Sequence, residues 1–349
     1  MYYSRAYLIL AALIAAPLAA QPQTAPVDAA IAKLESKDPG IRRGGIEELS
    51  RLRDAKAIPA LTGRLDDDNA FVRAAAVECL GLMRAAQATP KIVKLLGGDK
   101  EKQVRQSAAI ALTYMGDPST ADALIGALDD SFEGVRYAAA RSLGSMRNAK
   151  AVAALGKALK DKDAQMRVAA AGALGLIASK ESVPQLIEAM TDSNPQVRQE
   201  AARALGAVGD TGAGPALKKA LEDADPATRA QAALALGRMS DFSGVAVGLE
   251  LLKSADVSVR QQAAGVLGAI GDKEKALPAM QAAAKTEKDS NTKQILEYNI
   301  AQLKARLGVR ENMPAPAKAQ PAPKPQQAPN TTPKTEPAKK KPAPAKKKP

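Results

Sequence analysis

Histidine and tryptophan are absent from this chain of 349 residues, and cysteine occurs once. Without histidine there is no histidine general base, no Ser-His-Asp triad and no histidine-ligated metal. A single cysteine excludes an intramolecular disulfide, a Cys-x-x-Cys redox pair and a thiolate-rich metal site. We therefore expect no catalytic residue, no bound metal and no cofactor, and we interpret the chain as non-enzymatic.

Aromatic residues are also scarce, at 3% of the chain, although 46% of the residues are hydrophobic. The core must consequently be assembled from alanine, leucine, valine and isoleucine. Because small side chains let helices approach one another closely, this composition favours an all-α fold of packed helices.

The N-terminus has the layout of a secretory signal peptide. Arg5 precedes an apolar run over 6–16, and Ala20 is small enough to precede a cleavage site. We predict a signal peptide at 1–20, a short linker at 21–27 and export to the periplasm or exterior of a bacterial envelope. The alternative is an uncleaved N-terminal membrane anchor, although the apolar run is shorter than the ~20 residues that span a bilayer.

The C-terminal segment 311–349 is rich in proline, alanine and lysine, and its nine lysines carry more than half of the net charge of +13. This composition predicts a disordered, solvated tail. One interpretation is a passive spacer, and the other is contact with an anionic surface, such as lipid headgroups, cell-wall polymer or nucleic acid. The lysines expected to make that contact are Lys339, Lys340, Lys341, Lys346, Lys347 and Lys348.

The middle of the chain repeats one pattern with a period of about 31 residues. Arginine recurs at Arg42, Arg73, Arg105, Arg136, Arg167, Arg198, Arg229 and Arg260. Seven of these arginines are followed by alanine three residues later and by leucine seven residues later. Because offsets of three and seven lie on one face of a helix, each arginine is predicted to open an amphipathic helix.

Another helix is predicted upstream of each arginine, from leucine pairs such as Leu155 and Leu159 before Arg167. An aspartate stands six residues before most of the arginines. We interpret the two series as a structural ladder, in which the turn carboxylate caps a helix and pairs with arginines of its own and adjacent repeats. The ladder comprises Asp99, Asp130, Asp161, Asp192, Asp223, Arg73, Arg105, Arg136, Arg167, Arg198, Arg229 and Arg260. Gly116, Gly209 and Gly271 are expected to end second helices in the left-handed conformation.

A single hairpin cannot bury its apolar stripe, whereas stacked hairpins share a continuous core. We therefore predict one domain at 28–310, an α-solenoid of about nine stacked helical hairpins forming a superhelix.

The recurring pattern Asp-x5-Arg-x-x-Ala-Ala-x-x-Leu-Gly, seen in 192–206 and 130–144, resembles the HEAT-like repeat of the phycobilisome-lyase type. The resemblance covers about 28–310 and implies the same solenoid fold. The family that the chain resembles includes bilin-lyase subunits, a hydroxylase acting on deoxyhypusine, DNA-glycosylase relatives and many scaffolds. The hydroxylase binds iron through His-Glu pairs, and that activity is excluded here because the chain has no histidine.

The resemblance also implies that the second helix of each hairpin lines the concave side. Offsets 1, 5 and 9 from each arginine form a stripe that the core does not use. Tyrosine and arginine are frequent energetic anchors at interfaces. The predicted partner-binding patch is Tyr114, Tyr137, Arg141, Arg203 and Arg238, and the alternative is that these are ordinary solvated positions.

The leading hypothesis is an exported scaffold that binds a protein or peptide on its concave face, with the tail as a tether or spacer. The first alternative is a nucleic-acid or polyanion binder that uses Arg141, Arg203, Arg238 and the lysine-rich tail. The second alternative is a cofactor-handling, lyase-like subunit.

Overall fold

The computed structural model describes residues 26–309. Within that range there are eighteen α-helices and no β-strand, which confirms the all-α prediction. The helices alternate in nine hairpins, each with a first and a second helix. The first helices are α1 (Pro26–Lys33), α3 (Ile58–Gly63), α5 (Thr89–Gly98), α7 (Ala121–Gly126), α9 (Val152–Ala158), α11 (Val183–Ala189), α13 (Gly214–Ala220), α15 (Val245–Leu251) and α17 (Ala276–Thr286).

The second helices are longer in every hairpin. They are α2 (Pro39–Leu52), α4 (Ala70–Leu82), α6 (Lys102–Met115), α8 (Glu133–Ser145), α10 (Ala164–Ile177), α12 (Pro195–Val208), α14 (Pro226–Arg238), α16 (Val257–Ile270) and α18 (Ser290–Arg306). The predicted signal peptide, most of the predicted linker and the predicted tail lie outside the described residues.

Local sequence fixes where the second helices begin and end. The side chain of Asn194 accepts the amide of Gln196 and so caps α12, whose first residue is a proline. Proline suits this position because it has no N–H group, and an N–H in the first turn of a helix has no acceptor within the helix. Gly116 and Gly209 end their helices with φ of 66° and 70°, as expected. The expectation for Gly271 is wrong, because its φ is −61° and its backbone is extended.

The apolar stripe of each second helix is buried as the periodicity predicts. In α12, Ala201 and Leu205 have no exposed surface, and Val208 is partly buried. Leu217 of the next first helix is also fully buried. Each second helix packs against its own first helix and against the second helices of the adjacent repeats. One cluster of buried hydrophobic residues runs from Val27 on α1 to Leu236 on α14.

Second helices approach one another more closely than first helices do. A glycine follows the core leucine in several of them, and at Gly206 a Cβ atom would lie 2.8 Å from Cα of Ala235 on α14. Glycine is needed here because normal carbon–carbon contacts are ~3.5–4.0 Å. The same contact recurs at Gly81, Gly144 and Gly175.

The ladder arginines link successive repeats in one direction. Nε and Nη2 of Arg198 donate to the carboxylate of Asp223 in the following repeat, each at 2.8 Å. Nη1 of the same side chain donates to the main-chain carbonyl of Asp192 in its own repeat, at 2.9 Å. This hydrogen bonding to Arg198 lowers the pKa of Asp223. Equivalent bidentate pairs occur at Arg73, Arg105 and Arg167.

Two details of the expected ladder are wrong. The carboxylate of Asp192 pairs with Arg167 of the preceding repeat, whereas the arginine of its own repeat reaches only the backbone. That carboxylate also accepts a hydrogen bond from the main-chain N–H of Asn194 and does not cap the helix. The side chain of Asn194 supplies the cap. The aspartate therefore shapes the turn, and the residue two positions later begins the helix.

The ladder is weaker at two positions. Nε of Arg136 lies 3.7 Å from Asp161, and Nη2 of Arg229 lies 3.4 Å from Glu250. In both arginines Nε is buried without a hydrogen-bond partner in the described part of the chain. At the second position Ser254 replaces the aspartate of the repeat pattern, so the nearest carboxylate comes from α15.

Candidate binding groove on the second helices

Two adjoining clefts open along α6, α8, α10 and α12. One has a volume of about 530 Å³ and lies between α6 and α8. The other has a volume of about 580 Å³ and is lined by α8, α10 and α12. Because Tyr137, Arg141 and Ser145 of α8 line both, the clefts form one continuous surface, which we call the second-helix groove.

Small side chains on the second helices leave room for the groove. Ala138 and Ser145 on α8 line it, and Ala169 and Gly172 line it on α10. Longer side chains at equivalent positions would fill this space. The groove therefore arises where the repeat pattern permits small residues outside the core stripe.

Large apolar side chains are exposed in the groove. Tyr114 and Ile110 on α6 are 49% and 39% exposed, and Leu176 on α10 is 43% exposed. Tyr114 and Leu176 occupy the same offset in their repeats, nine residues after the ladder arginine. Clustered exposed apolar side chains mark interaction sites more often than scattered ones do.

Arg141 lies where the two clefts meet. Its side chain is exposed, and its guanidinium forms no hydrogen bond or ion pair with residues 26–309. Arg203, by contrast, donates from Nε to Oε2 of Glu200 at 2.8 Å, and this bond raises the pKa of Arg203. The charged residues that line the groove are Arg141, Arg203 and Glu200, so its net charge is one positive charge.

Tyr137 connects two repeats through its hydroxyl group. Oη donates to the carboxylate of Asp163, the N-cap residue of α10, and this bond raises the pKa of Tyr137 to about 12. The same bond lowers the pKa of Asp163. The ring of Tyr137 lines the groove while its hydroxyl is already engaged, so a ligand would meet the ring.

The structure brings together four of the five residues of the predicted patch. Tyr114, Tyr137, Arg141 and Arg203 line the groove, whereas Arg238 lies on α14 and does not. Sequence reasoning did not select Ile110 and Leu176, although both lie at the stripe offsets that it identified. Their offsets in the repeat would have been enough to select them, but the patch was restricted to tyrosine and arginine.

No group of three or more Cys, Asp or Glu side chains is placed to hold a metal ion within residues 26–309. The thiol of Cys79 is buried, and burial raises its pKa to about 11. None of the described helices has both the length and the apolar character needed to cross a bilayer. The tail lysines Lys339–Lys341 and Lys346–Lys348 lie outside the described residues.

Comparison with protein families finds two matches. A family profile described as HEAT repeats matches 5–81, 89–166, 152–224 and 214–301, and one described as PBS lyase HEAT-like repeat matches 72–98. These matches confirm the resemblance drawn from the repeat pattern. Comparison with curated protein sequences finds no match.

Several solved structures are similar. YibA of Escherichia coli is 24% identical, with a TM-score of 0.52 over 77% of this chain and 97% of that one. The complex of CpcE and CpcF of phycocyanin lyase from Nostoc sp. is 20% identical, with a TM-score of 0.42 over 83% and 98%. Human deoxyhypusine hydroxylase is 24% identical, with a TM-score of 0.32 over 69% and 94%. The first of these likenesses supports the fold alone.

Proposed function

The chain belongs to the HEAT repeat family, and from this we propose that it is a non-enzymatic scaffold that binds a protein or peptide along the second-helix groove. The observation that carries the proposal is the juxtaposition of exposed apolar side chains and an unpaired guanidinium in one continuous surface. Tyr114 and Leu176 lie on either side of Arg141 in a groove that crosses four repeats. Aromatic side chains and arginine contribute disproportionately to protein interfaces.

A non-enzymatic role is supported by the chemistry of the available side chains. The chain has no histidine, and the buried thiol of Cys79 is unsuited to nucleophilic attack because its pKa is raised. The polar side chains that recur most regularly in residues 26–309 are the ladder arginines and aspartates, whose hydrogen bonds hold adjacent repeats together.

The groove suits a protein partner better than a polyanion. Nucleic acids are held by several cations that neutralise successive phosphates. Of the arginines proposed for that role, Arg203 is already neutralised by Glu200, and Arg238 does not line the groove. The ladder arginines face carboxylates of neighbouring repeats and are likewise engaged.

We further propose that the protein is exported after removal of residues 1–20, and that the basic tail at 311–349 serves as a tether or spacer in the bacterial envelope. The apolar run after Arg5 and the nine lysines of the tail support this placement. N-terminal sequencing of the protein recovered from an envelope fraction tests the first point, and the expected first residue is Gln21. A chain ending at Arg310 tests the second, because its release from the envelope fraction is expected.

Site-specific crosslinking tests binding in the groove. A photoreactive amino acid at Leu176 is expected to give a discrete crosslinked species in the producing cell, whereas one at Lys157 on α9, an exposed position away from the groove, is not. The Leu176 species should disappear when Tyr114→Ser and Arg141→Ala are combined. Equal crosslinking from both positions, or persistence in the double variant, would show that the groove is not the binding surface.

A further inference from the structure

Arg141 is the charged group in the groove that a bound partner would have to satisfy. Its guanidinium has no hydrogen-bond or ion-pair partner in residues 26–309, and the one carboxylate that lines the groove, Glu200, is held by Arg203. A partner that covers Arg141 removes water from it, and burying an unpaired charge is costly. Charge complementarity therefore requires a carboxylate opposite Arg141.

The position of Arg141 indicates what kind of carboxylate this is. The side chain lines both clefts, so the groove continues away from it toward α6 on one side and toward α12 on the other. A chain terminus would occupy one of the two clefts and leave the other empty. A segment that fills both clefts passes over Arg141 and presents an internal aspartate or glutamate.

The apolar residues of the groove set the spacing of the other contacts. Tyr114 lies on α6 and Leu176 on α10, the helices on either side of α8. Packed helices lie ~8–10 Å apart, and a peptide in the extended polyproline II conformation rises ~3.1 Å per residue and presents every third side chain on the same face. About three residues of extended peptide therefore separate the contact with Arg141 from each apolar contact.

An extended conformation also matches the polar lining. The side-chain amide of Gln106 lines the groove and makes no hydrogen bond to the described residues. Such an amide can bond to main-chain N–H and C=O groups, which an extended segment exposes and an α-helix uses internally.

We propose that the second-helix groove recognises an extended peptide with an internal acidic residue, flanked by an apolar side chain three residues before it and another three residues after it. The acidic side chain pairs with Arg141, and the apolar side chains contact Tyr114 with Ile110 at one end and Leu176 at the other. This inference rests on the proposed function and names the partner's chemistry.

Selection from a random peptide library on the full-length protein, at ~0.15 M salt, tests the proposal. The expected enriched sequences have an acidic residue with apolar residues at −3 and +3. For one such peptide, fluorescence anisotropy should show about tenfold weaker binding when its acidic residue is changed to the amide. Arg141→Gln should weaken the acidic peptide by the same factor and leave the amide peptide unchanged, while Lys157→Gln affects neither.

The other outcomes separate the two proposals. Peptides whose binding is lost in Leu176→Ser but is indifferent to the acidic residue would overturn this inference and leave the proposed function standing. Enrichment of acidic runs without apolar residues, with binding abolished by high salt, would indicate a polyanion site and overturn it as well. If no enriched peptide depends on Tyr114 or Leu176, both proposals are wrong.

Discussion

Replacing Gly206 with alanine tests whether close contact between second helices limits the side chains that the repeat can accept. A Cβ atom at this position would lie 2.8 Å from both Cα and Cβ of Ala235 on α14. Carbon atoms pack at ~3.5–4.0 Å, so α12 and α14 would have to separate by about 1 Å. Gly265 on α16 is the matched control, because a Cβ atom there would have no neighbour within 4 Å.

The two substitutions share one favourable effect and differ in one unfavourable effect. Alanine is preferred over glycine in a helix by ~1 kcal/mol, which applies to both positions. Overpacking a close contact costs ~1–3 kcal/mol, which applies to Gly206 alone. We expect Gly206→Ala to lower the free energy of unfolding by about 1 kcal/mol and Gly265→Ala to raise it by about 0.5–1 kcal/mol.

Urea unfolding followed by circular dichroism measures both free energies, with the midpoint compared at equal m-values. Equal m-values matter because a repeat protein can lose cooperativity when one interface is weakened. Hydrogen exchange should show faster opening at the α12–α14 contact in Gly206→Ala and unchanged exchange there in Gly265→Ala. If Gly206→Ala is as stable as Gly265→Ala, the close approach does not constrain the sequence and the reasoning is wrong.

Three further predictions concern the ladder and the cysteine. Arg198→Ala should lower the free energy of unfolding by about 2 kcal/mol because it leaves the carboxylate of Asp223 without its bidentate partner. Arg229→Ala loses an equivalent main-chain hydrogen bond, to the carbonyl of Asp223, but only a 3.4 Å contact with a carboxylate, so it should cost less in the same urea assay. Hydrogen bonding to Arg260 lowers the pKa of Glu287 to about 2, and hydrogen bonding to Arg198 lowers the pKa of Asp223. The stability that these carboxylates contribute is therefore present above about pH 4 and is lost as the pH falls toward 2. Urea midpoints that do not fall across this interval would contradict the ladder as a source of stability. Cys79 on α4 should react with a thiol reagent at neutral pH only after unfolding, since its buried thiol has a pKa of about 11. Rapid reaction of the folded protein would show that the packing around this thiol opens without unfolding.

Sequence reasoning identified the candidate site in part because the repeat separates core positions from free ones. Subtracting the buried offsets from each second helix leaves the stripe that contains Tyr114 and Arg141, and both line the groove. The same reasoning did not consider that Glu200 neutralises Arg203, although the two residues are three apart on a predicted helix and that spacing brings opposite charges together. It also could not place Arg238 outside the groove, because the stripe continues onto α14 whereas the two clefts are lined only by α6 to α12.

The amino-acid sequence by itself determined the fold of residues 26–309. The 31-residue period, the apolar offsets and the turn residues recur in nearly every repeat, so each repeat provides the same local evidence, and the hairpins can bury their stripes only by stacking. The tertiary structure alone decided the direction of the ladder and the extent of the groove. Both depend on side chains that are 25 or more residues apart, as Arg198 and Asp223 are, and their contact is set by how one repeat packs on the next.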